Sequence, residues 1–247
     1  MSITEVPPAT LQLLGRYDTP TVCNVIELFA VRPRTAGYMD ARIRACFPEM
    51  PPMVGYASTA TYRGALEREQ GSSYATLDEQ IKAFADLPGP PIVVFQDLDD
   101  PPVSATFGEV MCSTYQAFGS AGLITSGAAR DLDQVRRIGF PVFAGGIICS
   151  HGYSHFTSIH QPVRIGGIAV RPGDLLHADV NGVTTIPHEI ASDVAAACEE
   201  YMACEAVILD HLKAGSKDVR AYSEARQECM RRIGELGMKV RSRSAQA

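Results

Sequence analysis

Between Ile92 and Ala144 the chain runs twice from a short apolar stretch through a loop into an amphipathic helix, and this alternation constrains the fold more than any other feature. Ile92-Val93-Val94-Phe95 has the composition of a buried strand and leads into the acidic loop Gln96 to Asp100, then Pro101-Pro102. Gly108-Glu109 opens a helix that ends near Gly119, its expected apolar face being Val110, Met111, Tyr115 and Phe118. Leu123 to Thr125 repeats the strand and Ser126-Gly127 breaks it. Asp131 to Ile138 is then helical through Leu132, Val135 and Ile138, and Gly139 ends it. Pro141 to Ala144 supplies a third strand. Such an order predicts consecutive βαβ units on a parallel sheet, an α/β fold.

In such a sheet both strand-to-helix loops open on one edge, and ligands bind outside the carboxyl ends of the strands. Glu109, Arg130 and Asp131 are therefore expected to line one crevice, although 20 residues lie between Glu109 and Arg130. Asp131 falls near a helix N-terminus, where unpaired amides and the dipole favour an ionised carboxylate. A carboxylate beside a guanidinium suits a metal ion and an anionic substrate. The same pair would also suit a plain helix cap and a surface ion pair, and the residues alone leave both readings open.

Ala9 to Ala30 reads as a helical region broken at Asp18-Thr19-Pro20, a good helix start. Gly55 to Tyr62 reads as a strand and Thr76 to Phe84 as a helix before the turn Pro88-Gly89-Pro90. Gly145 to Gln161 looks like a long surface loop. Pro162 to Pro187 reads as three short strands with turns at Gly166-Gly167, Pro172-Gly173-Asp174 and Asn181-Gly182, the last a strong hairpin signal. Ile190 to Leu212 is a long helix, expected to pack against another subunit. The expected organisation is one domain over 1–215 and a polar, helical extension over 216–247.

A net charge of −6 argues against nucleic-acid binding, and the basic groups Arg136-Arg137, Arg231-Arg232 and Lys239 to Arg243 read as solvated helix faces or a frayed end. The start has no charged region followed by an apolar core, and no tract is long enough to span a bilayer, so a cytoplasmic location without membrane contact is expected. Seven scattered cysteines without a C-x-x-C pair read as reduced thiols. Cys149, His151 and His155, with His160 beyond, have a spacing that could wrap zinc, although shaping a pocket or a subunit contact suits a Gly/Ser/Tyr-rich segment better.

Gly108-Glu109, then Gly122-x-x-x-x-Gly127-x-x-Arg130-Asp131, Gly139-Phe140-Pro141-Val142-Phe143, Pro162-Val163-x-Ile165-Gly166-Gly167, Arg171-Pro172-Gly173-Asp174 and Asp179-x-Asn181-Gly182-Val183 to Pro187 stand in the chain in this order. Together they resemble the RraA-like family, which includes 4-hydroxy-4-methyl-2-oxoglutarate/4-carboxy-4-hydroxy-2-oxoadipate aldolases and the regulator of ribonuclease activity A. The resemblance covers roughly residues 10 to 215. It implies a swivelling α/β/α-type core with parallel βαβ units, a short β-hairpin segment and a long C-terminal helix. It also implies trimers or hexamers with sites at subunit interfaces, and a divalent magnesium or manganese. By the same resemblance Asp131 ligates the metal, Arg130 holds the pyruvyl portion of a 2-oxoacid, and Glu109 holds metal-bound waters. The amides of Val110 and Met111 receive the substrate carboxylate, which agrees with anion binding at helix N-termini. A glutamate from a neighbouring subunit's C-terminal helix reaches the site; Glu205 fits its pattern best, with Glu199 and Glu200 nearby.

Retro-aldol cleavage needs an electron sink, either a lysine Schiff base or a divalent metal. The four lysines, Lys82, Lys213, Lys217 and Lys239, all lie outside the strand ends of the core, which favours the metal route. Oxygen ligands suit magnesium or manganese better than zinc. Decarboxylation of oxaloacetate yields the same enolate and is expected as a second reaction. A non-catalytic regulator binding an RNA-processing enzyme is the rival reading, and a lyase acting on another oxoacid is a second. Arg63, Arg68, Tyr74, His151, Tyr153 and His155 could adapt the site to a different acid or be surface decoration.

Overall fold

In a computed structural model, which describes residues 5–67 and 77–244, the chain starts with α1 (Pro8–Leu14) and α2 (Thr19–Phe29). The Asp18 carboxylate accepts the Thr21 N–H at 2.7 Å, capping α2 where the sequence places its start. Next come β1 (Arg44–Ala45), β2 (Met53–Arg63), α3 (Leu77–Lys82) and β3 (Pro91–Asp97). Arg68, Tyr74 and Thr76 lie outside the described residues. The βαβ region then runs β4 (Ala105–Phe107), α4 (Glu109–Ala117), β5 (Gly122–Thr125), β6 (Ala128–Ala129), α5 (Leu132–Arg137), β7 (Val142–Ala144) and β8 (Gly146–Ile147). It is followed by β9 (His155–Ile159), β10 (Val163–Ile165), β11 (Ile168–Val170), β12 (Leu175–Asp179) and β13 (Gly182–Ile186). Two long helices, α6 (Ala191–Lys213) and α7 (Val219–Ser244), complete the fold.

The main sheet has the order β1-β7-β5-β3-β2-β12-β13, with β9 also on β2. β2, β3, β5 and β7 are parallel, as the alternation predicts, while β1, β9 and β12 join them antiparallel. Its central strands are buried on both sides, and their apolar runs divide residue by residue between two cores. Val93, Phe95 and Leu123 pack with Met111, Cys112, Tyr115 and Val135 beneath α4 and α5. Ile92, Val94 and Ile124 pack with Val163, Ile165 and Val170 beneath the β10–β11 hairpin. A third core joins α1, α2, α6 and α7. Buried His177 ties this layer to the sheet: its Nδ1 is 2.9 Å from Thr19 Oγ1 and its Nε2 is 3.1 Å from Leu14 O. Burial lowers its pKa and holds the ring neutral.

Several expectations are corrected. Residues 145–161 are not one loop, because β8 and β9 lie within them; β9 pairs with β2 through His155, Phe156, Ser158 and Ile159, with Thr157 at a bulge, and the Thr157 and Ser158 hydroxyls both bond to Thr61. Residues 162–187 hold four strands rather than three. The buried face of α4 is Met111, Cys112 and Tyr115, whereas Val110 and Phe118 are 69% and 60% exposed, since the stripe that meets the sheet is rotated from the expected one. Within the chain α6 packs on α1, α2 and α7. The basic residues Lys239, Arg241 and Arg243 are exposed on α7, the solvated helix face of the two readings the sequence offers, with Lys239 paired to Glu200 at 2.5 Å and Arg241 donating to Leu28 O at 2.7 Å. Among the described residues no helix is long and apolar enough to cross a membrane.

Candidate active site

Each of the strands β3, β5 and β7 continues, after a short break, into a strand of a second, parallel sheet with the order β4-β6-β8. This small sheet sets the site. β4 delivers Gly108 and the first turn of α4; β6 delivers Arg130 and Asp131, and the Arg130 N–H donates to Phe107 O at 3.2 Å. Asp131 takes a left-handed conformation at φ 54° and ψ 38°, sparsely populated outside glycine and easiest for Asp and Asn. Its side chain makes no capping bond to its own helix. Instead Oδ2 accepts the Glu109 N–H at 3.1 Å, at the start of α4, and lies 3.8 Å from Arg130 Nε. The plain-cap reading of Asp131 on α5 is thereby excluded.

Gly108 is extended at φ −149°, so it is needed for space rather than for backbone freedom. A Cβ there would come within 3.0 Å of Asp131 Oδ2 and to 3.0 Å from Arg130 Nε. Gly108→Ala is expected to displace the carboxylate while leaving the fold intact. Turnover should fall about 100-fold, the usual cost of misplacing a reacting group by an ångström, with the thermal midpoint within a few degrees of wild type.

Ala105, Thr106, Phe107, Gly108, Val110, Met111, Arg130, Asp131, His151 and Ser154 line a notch of about 60 Å³, room for roughly two waters. The amides of Val110 and Met111 carry no backbone partner among the described residues. Arg130 and Asp131 are part-buried, which strengthens their field relative to a surface pair. Glu109 does not line the notch: its N–H donates to Asp131 Oδ2, and its side chain is exposed. Glu205 lies elsewhere in the chain, half-buried on α6 beside Tyr201, whose phenol is pushed up by burial and by the glutamate's charge. Cys149, His155 and His160 do not converge: His155 pairs with Arg63 across β9 and β2, and His160 Nε2 is 3.1 Å from Ser58 Oγ. Among the described residues no three His, Cys, Asp or Glu side chains are grouped to hold a metal.

Asp97, at the end of β3, carries no functional signal in the sequence. Its Oδ2 is buried without a hydrogen-bond partner, and a Cβ at Gly127 would crowd both that oxygen and Thr106 of the notch. Burial raises the Asp97 carboxyl from 3.8 to about 6, with the Asp99 charge adding to the rise while the Asp99 N–H and Arg63 oppose it. The native state therefore binds more protons than the unfolded chain between these values, and stability falls as pH rises through that window. Asp97→Asn should raise unfolding free energy by roughly 2 kcal/mol at pH 7.5 and by nothing measurable at pH 3.5. Denaturant titrations at the two pH values check this.

The α/β core brings a guanidinium and a carboxylate to the N-terminus of α4, where unpaired amides suit an anion. The chain belongs to the RraA-like family, whose model, described as Aldolase/RraA, matches residues 19–185. A protein of Halalkalibacterium halodurans named "Putative 4-hydroxy-4-methyl-2-oxoglutarate aldolase" is 31% identical over 159 residues, 62% of this chain and 71% of the relative. Two solved structures share the fold. One, an uncharacterised protein from Pseudomonas syringae, has a TM-score of 0.72 at 21% identity and covers 92% of this chain and 97% of its own. The other, Streptomyces coelicolor RraAS2, described as an unusual member of the RNase ES inhibitor RraA family, has a TM-score of 0.65 at 18% identity, over 82% and 96%.

Proposed function

We propose that this chain is a carbon–carbon lyase that cleaves a 4-hydroxy-2-oxoacid to pyruvate and a second carbonyl compound, and that decarboxylates oxaloacetate at the same site. The observation that carries the reading is the convergence of Arg130, Asp131 and the free amides of Val110 and Met111 on one notch. Family membership and the relative's name support the same class of reaction.

The donor set fits magnesium or manganese. Asp131 offers one carboxylate whose Oδ1 carries no hydrogen bond among the described residues, and these ions bind through one or two carboxylates, keeping several waters. Asp131 would hold the ion, which when bound supplies a Lewis acid for the 2-oxoacid. The amides of Val110 and Met111 receive the substrate carboxylate at the positive end of α4. Arg130 lies beside them and stabilises the negative charge that develops on the keto oxygen as the C3–C4 bond breaks. No lysine lines the notch, so its residues offer no Schiff base. A trimer or hexamer belongs to the same proposal, as does Glu205 reaching a neighbouring subunit's site.

The test is pyruvate release from a panel of 4-hydroxy-2-oxoacids and from oxaloacetate, with magnesium or manganese and with EDTA. Metal-dependent release with at least one acid is the expected result. Silence across the panel from a folded oligomer that still binds the ion would replace the lyase with a non-catalytic regulator.

A further inference from the structure

We propose that His151 is the base that removes the proton from the substrate's 4-hydroxyl group; the inference rests on the lyase reading of the same notch. Three titratable side chains line that notch, and two are committed: Arg130 to the anion and Asp131 to the Glu109 amide and Arg130. His151 is the third.

Its ring is set for the task. His151 Nδ1 lies 2.7 Å from Gly152 O, and a carbonyl can only accept, so Nδ1 carries a proton and Nε2 is the nitrogen left to present a lone pair. The backbone that holds the ring is pinned from several sides. Tyr62 Oη donates to the carbonyls of Ala105 at 3.0 Å and His151 at 3.3 Å, and the Ser154 N–H also donates to His151 O at 3.2 Å. The Ala105 N–H donates to Ser150 O at 2.7 Å and the Tyr153 N–H to Gly64 O at 3.0 Å. Gly152 turns at φ 53°, where an added Cβ would sit 2.6 Å from Gly64 O. The loop that carries the exposed His151 is thereby fixed against β2 and β4 at the rim of the notch.

In the step itself Nε2 takes the proton of the 4-hydroxyl, the oxygen's electrons close the new carbonyl, and the C3–C4 bonding pair passes to the pyruvate enolate. Water then protonates C3, and the imidazolium returns its proton to solvent. Oxaloacetate has no hydroxyl proton to remove: it loses carbon dioxide directly from a carboxylate and gives the same enolate. The two reactions therefore separate a base at the hydroxyl from everything that stabilises the enolate.

The experiment compares wild type with His151→Asn, whose amide nitrogen can replace Nδ1 as the donor to Gly152 O but which has no Nε2. His151→Gln serves as a second variant, and both are checked for wild-type thermal midpoints. Aldol kcat/KM is expected to fall about 100- to 1,000-fold, the range for losing a general base, while oxaloacetate decarboxylation stays within about threefold. Binding of oxalate with magnesium, followed by calorimetry, should be unchanged, because oxalate mimics only the enolate half. Equal losses in both reactions, or no loss in either, would overturn the proposal. So would a selective aldol loss in Glu205→Gln alone. A wild type that releases pyruvate from neither substrate would remove the lyase reading itself, and the role of His151 with it.

Discussion

Arg130→Ala is expected to abolish pyruvate release while the oligomer and its thermal midpoint remain those of wild type. The Arg130 side chain makes one long ion pair, to Asp131 at 3.8 Å, and its Nη atoms bond to nothing among the described residues, so its removal takes little from the fold. What it takes from the reaction is a fixed positive charge in a part-buried notch, where one such group contributes about 10²- to 10³-fold or more. Arg130→Lys should recover only part of this, because a point charge on a flexible stem does not replace a planar fork of donors. Size-exclusion chromatography with the pyruvate assay checks both variants; wild-type rates in Arg130→Ala would discard the assignment.

Asp131→Asn is expected to lose about 10³-fold in turnover for a different reason. Asparagine tolerates the left-handed backbone at φ 54° and can still accept the Glu109 N–H, so the local geometry survives. The negative charge does not. Calorimetric titration with manganese should show binding weakened at least tenfold, a readout independent of turnover. Asp131→Ala is the poorer test, since it adds backbone strain at a position with positive φ.

The site was legible in part because its residues sit beside local signals. Gly108-Glu109 and Arg130-Asp131 mark the starts of two helices, and parallel strands oblige those starts to share an edge. The periodicity predicts Val110 on the buried face of α4, yet its side chain is exposed and the residue lines the notch. Asp97 gives no signal, since an acidic residue in an acidic loop reads as solvated; it is buried where Gly127 and Thr106 come close to its carboxylate. His151 stands in a segment the sequence singles out, but its tautomer depends on the Gly152 carbonyl, and its place in the notch on backbone bonds of its loop to Gly64, Ala105 and Tyr62.

By itself the sequence determined the alternation of strands and helices, the α2 start at Asp18, the antiparallel hairpin at Asn181-Gly182 and the family, because periodicity, caps and turns are written within a few neighbouring residues. Only the tertiary structure decided the three-stranded sheet β4-β6-β8, the pairing of polar β9 with β2, the placement of α7 on α6, and the reach of Asp131 to the amide of Glu109. Strands of two or three residues carry no period, and hydrogen bonds between segments tens of residues apart leave no local pattern to read.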